Sequence, residues 1–198
     1  GILQMRPMVL SREMEILDIS GHMTEDLFCK SSHVLGNGII DDVFDVVFVN
    51  RETFDRSKSR ETASIINKLN TKLLNDERPY LLVGVGRWGS LDPWLGIPVS
   101  WDMINGARAI VETDFIDFRV SPSQGSHFFQ NLTSFQVGYF TLNSTSKEDF
   151  LDWDWLMQQN EVENMESIVH LRFDKPIVIK MNGHENKGVI MKPRSTAY

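Results

Sequence analysis

The chain has 198 residues, 41% hydrophobic and 24% charged, with 27 acidic against 20 basic side chains and a net charge of −7. That length suits one large domain, or a smaller domain with an extension, and supplies enough apolar material for a substantial core. The acidic balance excludes the basic surface needed for general binding to nucleic acid or to an anionic membrane, and no apolar run nears the roughly 20 residues of a membrane span.

ILQMRPMVL reads as a strand already under way, and Gly1 is not an initiator methionine. The expectation is a piece of a longer polypeptide with no signal peptide. Residues 10–30 mix charged and apolar positions and read as a connecting segment with short helix. A single cysteine, Cys29, rules out an internal disulfide and points to a reducing, cytoplasmic setting.

Gly36-Asn37-Gly38 marks a turn, and DVFDVVFVN predicts a strand over 42–50. Ile65, Ile66, Leu69 and Leu73 recur at helical spacing, which predicts an amphipathic helix over 62–74 that stops before Pro79. YLLVGV, from Tyr80 to Val85, is short and wholly apolar, as a buried strand is. A loop rich in Gly, Trp and Pro follows, then a helical turn over 103–106 and a strand over 107–112. Phe128, Leu132 and Phe135 stack on one face of a short helix ending near Gly138, and VGYFTL predicts another strand. PIVIKM, the turn NGHENKG and GVIMK form a closing hairpin. Strands alternating with helices make this an α/β layered domain.

Gly84-Val85-Gly86-Arg87-Trp88-Gly89 has the G-x-G-x-x-G spacing after a strand. A dinucleotide site needs a helix next, and Pro93 and Pro98 exclude a regular one. Two readings remain: Arg87 and exposed backbone amides as an anion contact, and, fitting better, a rigid loop whose tryptophans cover the core. The five tryptophans fit packing better than base stacking, since no basic groove accompanies them; a carbohydrate site would need two coplanar exposed ones. Glu148, Asp149, Asp152 and Asp154 lack the glycine and terminal glutamate of a calcium loop and read as a solvated helix face. His22, His33, His170 and His184 have neither the spacing nor the cysteines of a zinc site, and His184 sits in an exposed turn. No metal site is expected.

His127 has a different setting. It follows Gly125-Ser126 and opens the helical run. A neutral imidazole is a good nucleophile toward phosphorus at pH 7, and a glycine turn entering a helix offers free amides and a favourable dipole. Taken by itself the motif fits a histidine bonded to a loop carbonyl better.

As an ordered set, the segments resemble the phosphohistidine, or swivelling, domain of the pyruvate phosphate dikinase and phosphoenolpyruvate synthase family. SQGSHFFQNLTSFQVGYFTL is similar to that family's histidine turn, helix, glycine and strand. SSHVLGNGIIDDVFDVVFV is similar to its opening turn and strand, and NGARAIVET to the strand before the histidine loop. PYLLVGVGRWGSLDPW and FDKPIVIKMNGHENKGVIMK resemble its central strand and closing hairpin. ILQMRPM looks like the last strand of the ATP-grasp domain that precedes it.

The resemblance implies a layered β/β/α swivelling-type fold over 31–198 with a C-terminal β-hairpin, and the end of an ATP-grasp-like domain with its linker over 1–30. It implies that His127 carries a phosphoryl group and that Gly125 and Ser126 help bind it. It also implies ATP and Mg2+ in the full-length protein, none of them held by this fragment. The expected partners are the ATP-grasp domain of the same polypeptide and a domain binding phosphoenolpyruvate or pyruvate, with no nucleic acid and no membrane. The isolated domain is expected to be inactive alone. The chain departs from the family at Gly125, where a threonine is usual, and at Phe128 and Phe129, where alanines are. The helix lacks the family's arginine, so Arg87 and Arg108 stand as the candidate phosphate partners. The alternative is a diverged domain that serves as a regulatory or interaction module.

Overall fold

The computed structural model describes residues 21, 23–121 and 126–193, with side chains for all but 126–129. The strand expected in ILQMRPM therefore lies outside the described residues, as does most of the connecting segment; Thr24–Asp26 of the latter forms a 3-10 turn. The elements that follow are β1 (Leu27–Ser31), β2 (His33–Leu35), β3 (Gly38–Val49), α1 (Ser59–Asn75) and β4 (Tyr80–Val85). Next come β5 (Arg87–Trp88), β6 (Gly96–Ile97), β7 (Ala107–Thr113), α2 (Ser126–Ser134) and β8 (Gly138–Thr141). The chain continues as β9 (Phe150–Leu151), α3 (Trp153–Met157), β10 (Glu161–Met165), β11 (Ile168–Asn182) and β12 (Lys187–Met191).

The expected strand at Tyr80–Val85 is found at those residues, and all six are buried. Burial on both faces is why the run is continuously apolar and does not alternate. It lies between β3 and β7, with β8 beyond, and these four strands are parallel. The remaining strands add antiparallel wings, giving a ten-stranded mixed sheet in the order β2-β8-β7-β4-β3-β11-β12-β1-β9, with β10 also on β11. The fold is α/β, with one large mixed sheet and few helices.

The predicted helix over 62–74 extends to Ser59–Asn75 and buries Ala63, Ile66, Leu69 and Leu73. The stop before Pro79 is made by Glu77, which turns left-handed at φ 54°, while the Arg78 amide donates back to the Leu73 carbonyl at 2.8 Å. Crossovers β3-α1-β4 and β7-α2-β8 step the same way across the sheet, so right-handed connections put both helices on one face. Trp101, in a 3-10 turn against α1, stacks on Phe135 just beyond α2 at 5.4 Å.

The sheet also closes on itself. β1 and β2 lie near opposite ends of the strand order, yet only Ser32 separates them in the chain, and neighbouring Cα atoms are about 3.8 Å apart. The sheet must curl until its edges meet. The Ser31 hydroxyl donates to the Thr141 carbonyl at 2.6 Å across the join, and the Val34 amide to the Asn186 carbonyl at 2.9 Å. Closure brings β8 against β12: a Cβ on Gly188 would lie 2.6 Å from the Phe140 ring, so only glycine fits.

Two expectations are corrected. The acidic cluster is not a solvated helix face: Asp149 accepts the Ser32 and Asn143 amides, and Asp152 caps α3 while pairing with Lys192 at 2.8 Å. The closing hairpin is longer than predicted, because β11 runs from Ile168 through Pro176. A register shift against β3 between Arg172 and Ile177 lets a residue without an N–H sit there.

Candidate functional site

The four parallel strands end at one rim, at Val49, Val85, Thr113 and Thr141. Open α/β sheets bind ligands beyond the carboxyl ends of their strands, and here the loops leaving those ends border two clefts. A buried carboxylate organises the floor. Glu112 accepts the Trp88 amide at 2.9 Å and the Tyr139 hydroxyl at 2.5 Å. Trp88 is itself buried, its indole donating to the Val111 carbonyl at 3.2 Å, so the Gly-Trp loop is a rigid cover, as the prolines predicted. Gly84 makes room for it: a Cβ there would lie 2.2 Å from the indole. No helix follows the G-x-G-x-x-G spacing: β5 lies within it, and turns lead from Gly89 to β6.

Arg87 leaves this floor and donates Nε–H to the Ser121 carbonyl at 2.5 Å, tying the loop from β4 to the segment that leads to α2. Gly125 and the side chains of Ser126 and His127 lie outside the described residues. The backbone shows His127 as the second residue of the nine-residue α2. Because α2 returns the chain from the rim to the start of β8, its first turn lies toward the rim and its last turn toward the opposite end. Arg108 is at that opposite end. It is the second residue of β7, it reaches Asp42 at 3.6 Å, and it lines a cavity with Thr133 from the last turn of α2 and Gln136 just beyond it. The structure therefore brings Arg87, and not Arg108, to the loop before His127.

Sequence reasoning missed Arg119. Its side chain lines a cleft of about 390 Å3 with Ser121, Asp114 and His33, and among the described residues no carboxylate pairs with it. Asp114 shapes this corner by accepting the Val120 and Ser144 amides at 3.0 and 3.2 Å. The only signal was the unusual length of DFIDFRVSPSQ, which contains Arg119.

A larger cleft, about 730 Å3, opens between the loops after β3, β4 and β7. The Arg56 guanidinium lies 4.3 Å from the Phe115 ring and 5.4 Å from that of Trp94, and it forms an ion pair with Asp117. Phe54 stacks with Phe115, their ring centroids 6.1 Å apart. Arg51 faces the same cleft, packed 5.2 Å from the Trp153 ring. Of the five tryptophans only Trp94 is largely exposed, at 65%. The pair of exposed rings that a carbohydrate site would need is therefore absent.

Comparisons with protein-family models, curated proteins and solved structures find no match.

Elsewhere, His170 is fully buried and its Nε2–H donates to the Asp45 carboxylate at 2.7 Å, and His184 is exposed in the β11–β12 turn. Among the described residues no three His, Cys, Asp or Glu side chains converge as a metal site, and no helix is long and apolar enough to cross a membrane.

Proposed function

We propose that this chain is the phosphoryl-carrier domain of a phosphotransferase similar to phosphoenolpyruvate synthase and pyruvate phosphate dikinase, with His127 as the carrier. The observation that supports it is the position of His127 in the first turn of α2, toward the carboxyl rim. First-turn amides and the helix dipole favour a phosphoryl group there. Arg119 offers the cation that the helix itself lacks, and Arg87 fixes the approach of the loop. A sheet curled so that β8 faces β12 supports a layered β/β/α swivelling-type fold over 31–198; the reading takes 1–30 as the end of an ATP-grasp-like domain, although Leu27–Ser31 already form β1 of the main sheet.

In this reading an imidazole nitrogen bonds to phosphorus as the donor's P–O bond breaks, and the electron pair leaves on the donor oxygen. ATP and Mg2+ belong to the ATP-grasp-like domain of the same polypeptide, and a domain binding phosphoenolpyruvate or pyruvate takes the phosphate on. The isolated domain does not turn over ATP. A cytoplasmic location goes with the reading, since the single cysteine, Cys29, is buried and unpaired.

The second reading, a diverged regulatory or interaction module, is favoured by one observation: Arg87 is committed to a carbonyl and Arg108 lies at the far end of the sheet. Incubating the full-length polypeptide with β- and γ-labelled ATP separates the two. The carrier reading expects acid-labile label that His127→Ala abolishes. Label that persists in that variant, or none in the wild type, supports the module.

A further inference from the structure

We infer that the larger cleft at the carboxyl rim binds a nucleoside monophosphate, with its base against Trp94 and its phosphate on Arg51. The inference is independent of the role of His127.

One wall of the cleft is a flat column. Trp94, the Arg56 guanidinium, Phe115 and Phe54 stack in sequence, and the charge of Arg56 is already met by Asp117. A column of this kind is rigid, and Arg56 polarises the rings it lies between. Trp94 is held in place through its backbone, the amide donating to the Asp92 carboxylate at 2.9 Å, while 65% of the residue stays exposed. A large ring left open to water beside a cleft is a stacking platform, because every base has a π-face to offer it.

Arg51, which lines the same cleft, supplies the charge. Arg51 has no carboxylate partner among the described residues and packs on Trp153. Packing orients a guanidinium for bidentate contact with a planar or tetrahedral anion. A bare phosphate would leave the aromatic wall unused, and an uncharged ring would leave Arg51 unused. The volume, about 730 Å3, lies within the range of small-molecule sites.

The remaining charges select the number of phosphates. Asp55 and Asp117 also line the cleft. Asp55 accepts both the hydroxyl and the amide of Ser57, bonds that hold its carboxyl below the usual range and keep it ionised. With Arg56 neutralised by Asp117, one cation faces one further anion. That balance suits a monophosphate and repels a triphosphate.

Isothermal calorimetry on the whole chain tests this with AMP, adenosine, ribose 5-phosphate and ATP as probes. AMP is expected to bind saturably, and adenosine, ribose 5-phosphate and ATP each about tenfold more weakly. Trp94→Leu and Arg51→Gln, both at exposed positions, are expected to weaken AMP about tenfold each while melting with the wild type. Absence of saturable AMP binding at millimolar concentration overturns the proposal. So does AMP binding that survives both substitutions unchanged, and ATP binding tighter than AMP overturns the monophosphate assignment.

Discussion

The two ends of the parallel strands treat charge in opposite ways. At the amino end, Asp45 is 1% exposed and enclosed by His170 at 2.7 Å, Arg172 at 2.8 Å and Arg78 at 2.7 Å. It lies in β3 opposite Tyr80, the first residue of β4. Every oxygen of this carboxylate is used by the protein itself. At the carboxyl end, Arg51 and Arg119 line clefts without an ion-pair partner among the described residues, and Trp94, Ile116 and Phe118 stand in water. Closed charge holds the sheet together, whereas open charge beside apolar surface is available to a ligand. The contrast makes the carboxyl end the candidate for ligand binding.

The largest effect should come from the closed end. Asp45→Ala leaves two arginines and a buried histidine without their anion and should cost about 3 kcal/mol in denaturant unfolding, as breaking a buried ion pair does. At the open end, Arg51→Ala and Trp94→Ala should each change stability by less than about 0.5 kcal/mol. Rim variants as costly as Asp45→Ala would break the comparison.

Gly188→Ala probes the closure that sets the two ends apart. Its Cβ would meet the Phe140 ring, and overpacking of this kind costs about 1–3 kcal/mol by the same measurement. A neutral effect would mean that β8 and β12 do not face each other so closely.

A smaller effect is expected in the pH profile. Burial alone would raise Asp45, but the hydrogen bonds from His170, Arg78 and Arg172 and the charge of Arg172 outweigh it and hold the carboxyl below its ordinary value. Its folded value is depressed, so its contribution is complete above about pH 4 and is lost as pH falls through the folded value. Unfolding free energy measured against pH should fall on acidification in the wild type and less steeply in Asp45→Asn. Equal slopes would remove Asp45 as the cause.

The subtlest probe is Cys29. Burial, aided by the charge of Asp149, pushes its thiol far above the usual range. A disulfide reagent at pH 8 should leave the folded protein unmodified, and labelling should follow unfolding and speed up in Asp45→Ala. Prompt labelling of the native wild type would show that β1 opens locally.

Local pattern made much of the fold legible. The apolar run at Tyr80–Val85, the heptad-like spacing of Ile66, Leu69 and Leu73, and the turn at 182–186 each announce one element. Closure of the sheet does not show in any local pattern. It depends on Ser32 separating two strands that pair with β12 and β8, far away in the chain. Pro176 concealed the length of β11, because a proline reads as a strand boundary unless a register shift accommodates it.

The site divides in the same way. Arg87 could be singled out because it lies in a glycine-rich loop after a strand. Arg51 and Arg56 sit in the loop after β3 and Arg119 in the loop after β7, and only the parallel order of β3, β4 and β7 brings those loops to one rim. Arg108 drew notice by its place near the histidine segment, yet the five residue steps of β7 from Arg108 to Thr113 put it about 17 Å from the rim.

Chemical phosphorylation of the folded chain with phosphoramidate, followed by mapping of the modified histidines, tests the carrier assignment without any other domain. Phosphate should appear on His127 faster than on the exposed His33 and His184, and not on the enclosed His170. Modification of His33 and His184 with His127 left bare would contradict it.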